Sequence, residues 1–527
     1  MSIIEVNHIE MMIGACLLFK VDQLRIEKQD RIGIVGRNGV GKSTLLSILT
    51  KQLVPDAGTV ETNVEIELIP QFKAQHLQKS GGEITEMYIK KALAKTPALL
   101  MADEPTMNLD VEKIAHLERE LLQFNGAFVV VSHDRTFLNH VCTKIWEIDN
   151  QTVREFKGNY NVYLKQKELE KRHHEAQYKG YVKKKKALKQ AIEGKERKAQ
   201  KMTRAPSRMS SNESKLHKVK KGKAQKGVHQ SKRALETRMN QLQQFDKPKV
   251  LPQVKISIPN ATVIQNQTVI RADKLEAKVR NNLLWKNVSF EVRSGDKVAL
   301  IGLNGTGKTT LLRHIIECHT GVQISSAVKI GYFSQNLDIL DLNQTMLENV
   351  KETSIHDETL IRTVLARLLF KNEDVYKKVS VLSGGERVKV AFAKVFLSDM
   401  NVLIMDEPTN FLDIPSIEAF EQLLLSYEGT VLFVSHDRSF VQSTATKIIE
   451  LFNSTVVSFD GNYDEYEQRK NKAKVKRNDV EEELMLIETK LSAVISKLSE
   501  PVSIEQKKQL EEQFQQLIEK RRVLKEN

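Results

Sequence analysis

Two stretches of this chain have the residue types and spacing of a phosphate-binding loop (P-loop). Residues 36–43 read GRNGVGKS and residues 302–309 read GLNGTGKT, and each follows an apolar run expected to be a buried strand. In the GxxxxGK[ST] pattern, glycines let backbone N–H groups surround a phosphate, the lysine reaches the β- and γ-phosphates, and the hydroxyl coordinates Mg²⁺. The predicted nucleotide-binding residues are Gly36, Asn38, Gly39, Gly41, Lys42, Ser43, Thr44, Gly302, Asn304, Gly305, Gly307, Lys308, Thr309 and Thr310.

Each half of the chain also has an apolar run that ends in two consecutive carboxylates. Asp103 and Asp406 end these runs, and Glu104 and Glu407 follow them directly. A carboxylate at the carboxyl end of a strand can hold Mg²⁺ together with the P-loop hydroxyl. The glutamate beside it is placed to orient or deprotonate an attacking water. We predict that the aspartates bind metal and the glutamates are catalytic.

A histidine follows a later strand-like run in each half. His133 lies in the string SHDR at 132–135, and His436 lies in the same string at 435–438. A lone histidine is usually structural, but after such a strand we interpret both as contacts of the γ-phosphate.

These motifs form an internal repeat, which predicts two similar domains. SGGE at 80–83 recurs at 383–386, a shift of 303 residues (383 − 80). DEPT at 103–106 and SHDR at 132–135 recur with the same shift. The P-loops, however, lie 266 residues apart (302 − 36). The first copy is therefore shorter than the second between its P-loop and its SGGE string.

Together these strings resemble the ATP-binding cassette (ABC) ATPases. In that family two cassettes close head to tail, and each ATP lies between the P-loop of one cassette and the SGGE signature of the other. The resemblance implies ATP and Mg²⁺ as cofactors and two active sites. It adds as ATP contacts Ser80, Gly81, Gly82, Ser383, Gly384, Gly385, Gln71 and Gln335, and it implies that the two glutamines also contact the metal.

One feature departs from that family. Its members often stack adenine on an aromatic residue shortly before the P-loop. Residues 6–18 and 273–284 contain no Tyr, Phe or Trp. We therefore expect weak selectivity for the base.

The segment between the two copies is strongly basic. Residues 161–250 contain 27 Lys and Arg against 8 Asp and Glu, a local charge of +19, whereas the whole chain carries +14. The remainder therefore sums to −5 (14 − 19). A charge excess confined to one segment favours a polyanionic partner over a merely solvated helical face.

Helical periodicity predicts that this segment is a hairpin. Tyr181, Leu188 and Ile192 lie on one stripe, and a second stripe follows at 235–245. Residues 204–207, which include a proline, interrupt the pattern between them. A first helix from about 160 to 203 would be roughly 65 Å long at 1.5 Å per residue.

Two cassettes joined by a basic hairpin resemble the ABC-F subfamily, and within it the Vga-type antibiotic-resistance proteins. The resemblance implies a cytoplasmic, monomeric ATPase that binds the E site of the 70S ribosome, where its linker points at 23S rRNA and P-site tRNA. It further implies protection against lincosamides, streptogramin A or pleuromutilins, with hydrolysis used for release. The linker tip that would meet the peptidyl-transferase centre contains Arg204, Pro206, Arg208, Met209 and Ser211.

Three alternatives remain open. A housekeeping ABC-F translation factor would share every motif but have no role against drugs. The ATPase half of a drug exporter conflicts with the basic linker and the lack of a membrane-length apolar run. A DNA-repair cassette ATPase would carry longer coiled coils or metal-binding cysteines, whereas this chain has 3 widely spaced cysteines.

The predicted fold class is α/β: two tandem ABC-type P-loop ATPase domains, a long α-helical hairpin linker and a C-terminal helical extension. We expect the first ATPase domain at 1–159, the linker at 160–250, the second ATPase domain at 251–469 and the extension at 470–527. The resemblance implies that the short interval before the first SGGE string leaves the first domain with a minimal helical subdomain and without the ribosome-contacting arm of some ABC-F relatives. The apolar stripes of the extension fit either a self-packed hairpin or a contact with rRNA or a ribosomal protein. The apolar run near 11–19 lacks a preceding Lys or Arg and is interpreted as buried strands of the first domain rather than as a signal peptide.

Overall fold

The computed structural model describes residues 2–71, 81–203, 226–228, 230–242, 267–279, 282–334, 337–371, 373–452, 454–498 and 504–526. Contacts divide the chain into two units. Unit 1 comprises Met1–Pro70, Ala92–Asp103 and Phe124–Val254, and unit 2 comprises Gln71–Lys91, Glu104–Gln123 and Lys255–Asn527. Two short pieces of the N-terminal half therefore belong to the same unit as the second P-loop. The predicted fold class is confirmed, whereas the predicted domain boundaries stay predictions.

Unit 1 contains one nine-stranded sheet, ordered β4-β1-β2-β9-β8-β3-β7-β6-β5. Its strands are β1 (Ser2–Ile13), β2 (Cys16–Glu27), β3 (Arg31–Gly36), β4 (Ala57–Thr62), β5 (Ile66–Ile69), β6 (Leu99–Asp103), β7 (Ala127–Val131), β8 (Lys144–Asp149) and β9 (Thr152–Lys157). The run from β8 to β5 is parallel, and every residue of β6 and β7 is buried. Strands buried on both faces need continuous apolar sequences, which is why these segments lack polar alternation.

The apolar run near residues 11–19 forms an antiparallel hairpin. β1 ends at Ile13 and β2 begins at Cys16, with Gly14 at φ 61° in the turn between them. The interpretation as strand is confirmed, but the expectation that the run is buried is wrong before Phe19. None of residues 11–18 is buried, and Ile13 is 62% exposed, because they form the end of the hairpin.

The helices that follow these strands are α1 (Lys42–Leu49), α2 (Gly81–Ala94), α3 (Val111–Gln123), α4 (Arg135–Val141) and α5 (Tyr160–Thr203). α1 follows the first P-loop, and α4 follows the SHDR string. Asp134 caps α4 by accepting a hydrogen bond from the backbone N–H of Phe137. The short polar strings thus act as helix starts as well as chemical motifs.

Unit 2 contains a three-stranded sheet ordered β11-β10-β13 and a six-stranded sheet ordered β14-β15-β16-β12-β17-β18. The strands are β10 (Thr268–Val279), β11 (Asn282–Arg293), β12 (Lys297–Gly302), β13 (Val322–Ile324), β14 (Ile330–Phe333), β15 (Val402–Asp406), β16 (Thr430–Val434), β17 (Lys447–Phe452) and β18 (Thr455–Asp460). β12 lies between β16 and β17 and is parallel to both. The second P-loop therefore follows a strand that lies between two parallel neighbours, as the first does.

The helices of this half differ in number from those of the first. They are α7 (Lys308–Ile316), α8 (Met346–Thr353), α9 (Glu358–Arg367), α10 (Gly384–Phe396), α11 (Ile414–Ser426) and α12 (Arg438–Thr444). Three of them, α8 to α10, lie between β14 and β15. Among the described residues between β5 and β6, only α2 is helical.

The linker begins with α5, which is 44 residues long, or about 66 Å at 1.5 Å per residue. The predicted helix from about 160 to 203 is confirmed. A second helical segment, α6, contains residues 226–228 and 230–240. Lys232 of α6 pairs with Glu196 of α5 at 2.8 Å, so the two helices lie side by side as a hairpin. The predicted linker tip, residues 204–211, lies outside the described residues.

The C-terminal extension consists of α13 (Tyr463–Leu498) and α14 (Ile504–Glu526). Ile487, Leu491 and Val494 of α13 are buried, and Arg521 of α14 pairs with Glu488 of α13 at 3.1 Å. The self-packed hairpin is therefore observed, and a contact with rRNA stays a hypothesis. Among the helices in the described part of the chain, none is long and apolar enough to cross a membrane.

Candidate functional site

Both P-loops have the backbone conformation that their glycines allow. Gly39 and Gly41 have φ values of 81° and 98°, and Gly305 and Gly307 have 80° and 91°. Residues with a side chain seldom adopt this left-handed region, whereas glycine does so without steric cost. The last glycine of each loop directly precedes α1 or α7, so N–H groups at a helix start are available for a phosphate.

The P-loop lysines are buried and bonded to their own loops. Lys308 Nζ donates to the carbonyl oxygens of Gly302 and Leu303, both at 2.9 Å. Lys42 Nζ donates to the carbonyl oxygens of Gly36 and Arg37 at 2.9 and 3.1 Å. Burial lowers the pKa of Lys308, and the nearby charges of Glu407, Asp110 and Asp406 oppose that shift. A phosphate here would meet an ammonium group already positioned in the loop.

The metal prediction rests on a hydroxyl and a carboxylate in each cassette. Thr309 lies near Asp406, and Ser43 lies near Asp103, close enough for each hydroxyl to act on the pKa of its aspartate. Burial raises the pKa of both aspartates, and the neighbouring hydroxyl and P-loop lysine oppose the increase. Asp406 Oδ1 is buried and has no hydrogen-bond partner among the described residues. A hard divalent cation prefers such an oxygen, so this donor set fits Mg²⁺.

Glu407 is held in a strained and water-poor position. Its φ is 50°, and that of Glu104 is 51°. Non-glycine residues with positive φ are uncommon and cluster at functional sites. Burial raises the pKa of Glu407, and the charge of Lys308 opposes this shift. A carboxylate with raised basicity, facing the P-loop lysine, suits a group that takes a proton from water.

His436 lies against this carboxylate. Its Nε2 is 3.3 Å from Glu407 Oε1, and its backbone N–H donates to Glu407 Oε2 at 3.3 Å. Burial lowers the pKa of His436 to about 4, and the charge of Lys308 adds to this effect. The imidazole is therefore neutral at neutral pH. A neutral ring can donate a hydrogen bond to phosphate without adding a fixed charge.

Aromatic rings lie beneath the P-loops, at positions that the sequence reasoning missed. Phe19 and Trp285 follow the two non-aromatic stretches directly and are 266 residues apart (285 − 19), the same shift as the P-loops. Both are fully buried. A Cβ atom on Gly41 would lie 2.7 Å from the Phe19 ring, and one on Gly307 would lie 2.8 Å from Trp285 Nε1. These rings support the loop and are too buried to stack on a base. The shared shift was the sequence signal that could have found them.

Within unit 2, the second P-loop contacts residues that follow the first carboxylate pair. The Asn304 backbone N–H donates to Asp110 Oδ2 at 3.2 Å, and its side-chain Nδ2 donates to the carbonyl of Asn108 at 2.9 Å. Gly82 also lies here, because a Cβ atom on it would be 2.6 Å from the Asn108 carbonyl and 3.4 Å from Asn304 Nδ2. The structure thus brings a residue of the first SGGE string beside the second P-loop, as the resemblance implies.

A second contact of this kind involves the SHDR string. Arg438 donates to the carbonyl of Val111 at 2.7 Å, and its Nη1 lies 3.6 Å from Glu118 Oε1. Both charged side chains are largely buried. Because Arg438 is two residues beyond His436, this contact ties the histidine's segment to the start of α3. Sequence reasoning did not single out Asp110 or Arg438, although Asp110 recurs as Asp413 in DEPTNFLD and Arg438 is the repeat of Arg135 in SHDR.

Comparisons with known proteins decide the family. Two family models, both described as ABC transporter, match residues 19–78 with 285–410 and residues 146–230. The chain is 31% identical over 494 residues to the "Ribosome protection protein VmlR" of Bacillus subtilis (strain 168), which covers 88% of each chain. It is 29% identical to "ABC transporter F family member 2" of Arabidopsis thaliana, over 87% of this chain and 78% of that one.

The chain belongs to the ABC-F family. It is accordingly a nucleotide-binding ATPase. Another relative of this ABC-F protein is the "Erythromycin resistance ATP-binding protein MsrA" of Staphylococcus epidermidis, 31% identical over 83% of this chain and 95% of the relative. Among solved structures, "RNase-L Inhibitor" aligns with a TM-score of 0.59 and 17% identity, over 89% of this chain and 92% of that one. That likeness supports the tandem-cassette fold.

Of the remaining residues that were predicted to bind ATP, the structure describes some and not others. Ser383 caps α10 through a capping box with Glu386, and Gly384 and Gly385 form the first turn of that helix. Gln71 is exposed, with its Nε2 at 4.0 Å from Met107 Sδ. Ser80 and Gln335 lie outside the described residues. The roles assigned to all these residues stay predictions.

Replacing Arg438 by lysine should slow hydrolysis at the second site. Lysine cannot keep a bond to the Val111 carbonyl and a contact with Glu118 in one geometry, and a hydrogen bond from a charged group is worth about 1.5–3 kcal/mol. We expect a loss of roughly ten-fold or more in turnover, measured as phosphate release in a Glu104→Gln background. Glu118→Gln keeps the Val111 bond and should lose less. Full turnover by Arg438→Lys would show that this contact does not support the site.

Proposed function

We propose that this ABC-F protein protects the 70S ribosome from antibiotics that bind the peptidyl-transferase centre. It binds at the E site, and its linker points toward P-site tRNA and 23S rRNA. The bound drug, of the lincosamide, streptogramin A or pleuromutilin type, is displaced by the linker tip. ATP binding closes the cassettes, and hydrolysis releases the protein, which acts as a cytoplasmic monomer.

The observation that carries this proposal is a basic helical hairpin attached to ATPase cassettes. α5 is about 66 Å long at 1.5 Å per residue, and most of its lysines are exposed. Lysine and arginine side chains neutralise phosphates and release counterions, which drives binding to nucleic acid at low salt. The proposal is also supported by two relatives, one named a ribosome protection protein and the other an erythromycin resistance protein.

The chemistry of hydrolysis follows from the site residues. Lys42 and Lys308 bind the β- and γ-phosphates, with the glycine-rich backbone donating N–H groups. Glu407 orients the attacking water and accepts its proton, and His436 donates to the γ-phosphate. Glu104 and His133 do the same in the other cassette. When bound through Asp103, Asp406 and the adjacent hydroxyls, Mg²⁺ neutralises charge on the phosphates.

The test is drug susceptibility of a sensitive host that expresses the chain. We expect the intact protein to raise the inhibitory concentration of at least one of the three drug types several-fold. Replacing Arg204 and Arg208 at the predicted tip by alanine should remove that protection. Lys28→Ala with Arg154→Ala deletes the same charge from exposed positions of the first half and should leave it intact.

A general translation factor is the competing assignment. The relatives include "Putative ATP-binding protein YdiF" of Bacillus subtilis (strain 168), which is 30% identical over 90% of this chain. The name of that relative mentions neither a drug nor resistance. In that case the tip variant would change growth rate without changing susceptibility. That result would overturn the proposed protection while leaving a ribosomal site of action in place.

A further inference from the structure

Three side chains fasten the linker helix to the core of the first half. Glu147 on β8 is buried. Its Oε1 accepts a hydrogen bond from the Tyr163 hydroxyl at 2.7 Å, and its Oε2 accepts one from Lys167 Nζ at 2.9 Å. Tyr163 and Lys167 are four residues apart and so lie on one face of α5. Both carboxylate oxygens therefore hold the first two turns of the linker helix.

The same three residue types lie at the root of the C-terminal extension, with a different set of hydrogen bonds. Glu450, Tyr466 and Lys470 each lie 303 residues beyond their counterparts (450 − 147). Lys470 Nζ is 2.6 Å from Glu450 Oε1 and 3.2 Å from the Tyr466 hydroxyl. Burial raises the pKa of Tyr466, and the neighbouring Glu450 adds to this increase. The two extensions differ in sequence, so the repeat conserves the attachment rather than the helix attached.

The strand that carries Glu147 is the neighbour of the P-loop strand. β8 is parallel to β3, with Glu147 opposite Val35 and Ile148 opposite Gly36, the first residue of the P-loop. In unit 2, Glu450 is opposite Ile301 and Leu451 is opposite Gly302. A hydrogen-bonded pair of central strands moves as one piece, because shear would break its ladder. Only one strand thus separates the P-loop strand from the root of the helix.

A second attachment joins the linker root to the helix that follows SHDR. The backbone N–H of Asn161 in α5 donates to Asn139 Oδ1 of α4 at 3.1 Å. At the repeated positions, Gln442 Nε2 of α12 donates to Asp464 Oδ1 of α13 at 2.7 Å. The root of each extension is therefore bonded to two elements near the nucleotide site: the neighbour of the P-loop strand and the helix that begins at the SHDR string.

We propose that Glu147, Tyr163 and Lys167 form a joint that makes α5 move as one body with the P-loop strand of the first cassette. When ATP moves this strand, the far end of α5 then moves with it, because the helix does not tilt at its root. The three residues are positioning residues, since they lie outside the ATP chemistry. The joint stands on the contacts above, whereas its consequence for drug displacement rests on the proposed function.

The test uses a substitution that removes the bonds but keeps the packing. Deleting one partner of a buried charged pair leaves an uncompensated charge, whereas apolar residues of similar volume are often neutral for stability. The joint variant is therefore the full chain with Glu147→Met, Tyr163→Phe and Lys167→Met. The matched control carries Glu450→Met, Tyr466→Phe and Lys470→Met at the other root.

The orientation of the linker is measured as the distance between two spin labels, by pulsed electron paramagnetic resonance. Labels at Glu61→Cys and Lys189→Cys occupy exposed positions, the second about 40 Å along α5 from Tyr163. Cys16 and Cys318 are exposed and are first replaced by serine. Cys142 is buried and its pKa is raised by burial, so it stays unlabelled.

We expect the joint variant to keep its melting temperature and basal ATPase activity within about two-fold while its distance distribution at least doubles in width. The control should keep the width of the unaltered protein. An unchanged width in the joint variant would overturn the joint. If the width doubles but drug protection is unaffected, the claim that drug displacement needs movement passed through this joint is overturned. If the unaltered protein gives no protection, the proposed function fails, and the widths still decide the joint.

Discussion

Replacing Glu104 and Glu407 together by glutamine is expected to abolish ATP turnover and hold the protein on ribosomes. Glutamine keeps the size and hydrogen-bonding shape of the side chain but cannot accept the proton of the attacking water. A positioned general base contributes about 10²–10⁴ in rate, so turnover should fall by at least roughly 100-fold. ATP binding should persist, because the P-loop lysines and hydroxyls are unchanged.

Two measurements check this result. Phosphate release reports the turnover, and sedimentation through sucrose with ATP reports the protein that remains with 70S ribosomes. Glu65→Gln with Glu276→Gln makes the same change at exposed positions in both halves and should neither slow hydrolysis nor retain the protein. Rapid turnover by the double variant would contradict the catalytic roles. A slow variant that sediments free of ribosomes would instead contradict the ribosomal partner.

Replacing Gly307 by alanine is expected to unfold the second nucleotide site, whereas Gly305→Ala should only weaken it. Both glycines have left-handed φ values, 91° and 80°, and alanine there costs about 1–2 kcal/mol. They differ in their surroundings. A Cβ on Gly307 would lie 2.8 Å from Trp285 Nε1 and 3.0 Å from Leu284 Cδ1, whereas one on Gly305 meets nothing within 4 Å. Trp285 is fully buried and cannot yield without repacking the core.

The difference can be measured without nucleotide, so that contacts with phosphate do not enter. The chain has 2 tryptophans, and Trp146→Phe leaves Trp285 as the only one. Its fluorescence during urea unfolding then reports the region below the second P-loop. Gly305→Ala should lower the free energy of unfolding by about 1–2 kcal/mol and Gly307→Ala by more than that. Equal losses would show that the Trp285 contact does not restrict this position.

Much of the chemistry could be predicted because it depends on local spacing. A GxxxxGK[ST] string after an apolar run specifies a strand, a tight turn and a helix start by backbone sterics alone. The 44 residues of α5 were likewise predictable, since lysine- and glutamate-rich sequence with few glycines favours a helix over its whole length. The paired carboxylates followed from the apolar runs that they end.

Other features depend on residues that are distant in sequence, and no local pattern specifies them. Phe19 and Trp285 were absent from the site prediction because their contact with the P-loop arises from strand packing. Asp110 meets Asn304 across 194 residues, and Arg438 meets Val111 across 327. Such contacts depend on how folded elements come together, which sequence periodicity does not report.

By itself the sequence determined the two phosphate-binding loops, their carboxylates and the helical character of the linker, because each follows from interactions within a few residues. Only the tertiary structure decided which side chains support those loops and how the linker is fastened. Glu147 is an ordinary acidic residue in IWEID until the fold buries it beside Tyr163 and Lys167. A buried carboxylate must be paired, whereas a solvated one need not be. Burial therefore makes Glu147 bind these two side chains of the linker helix.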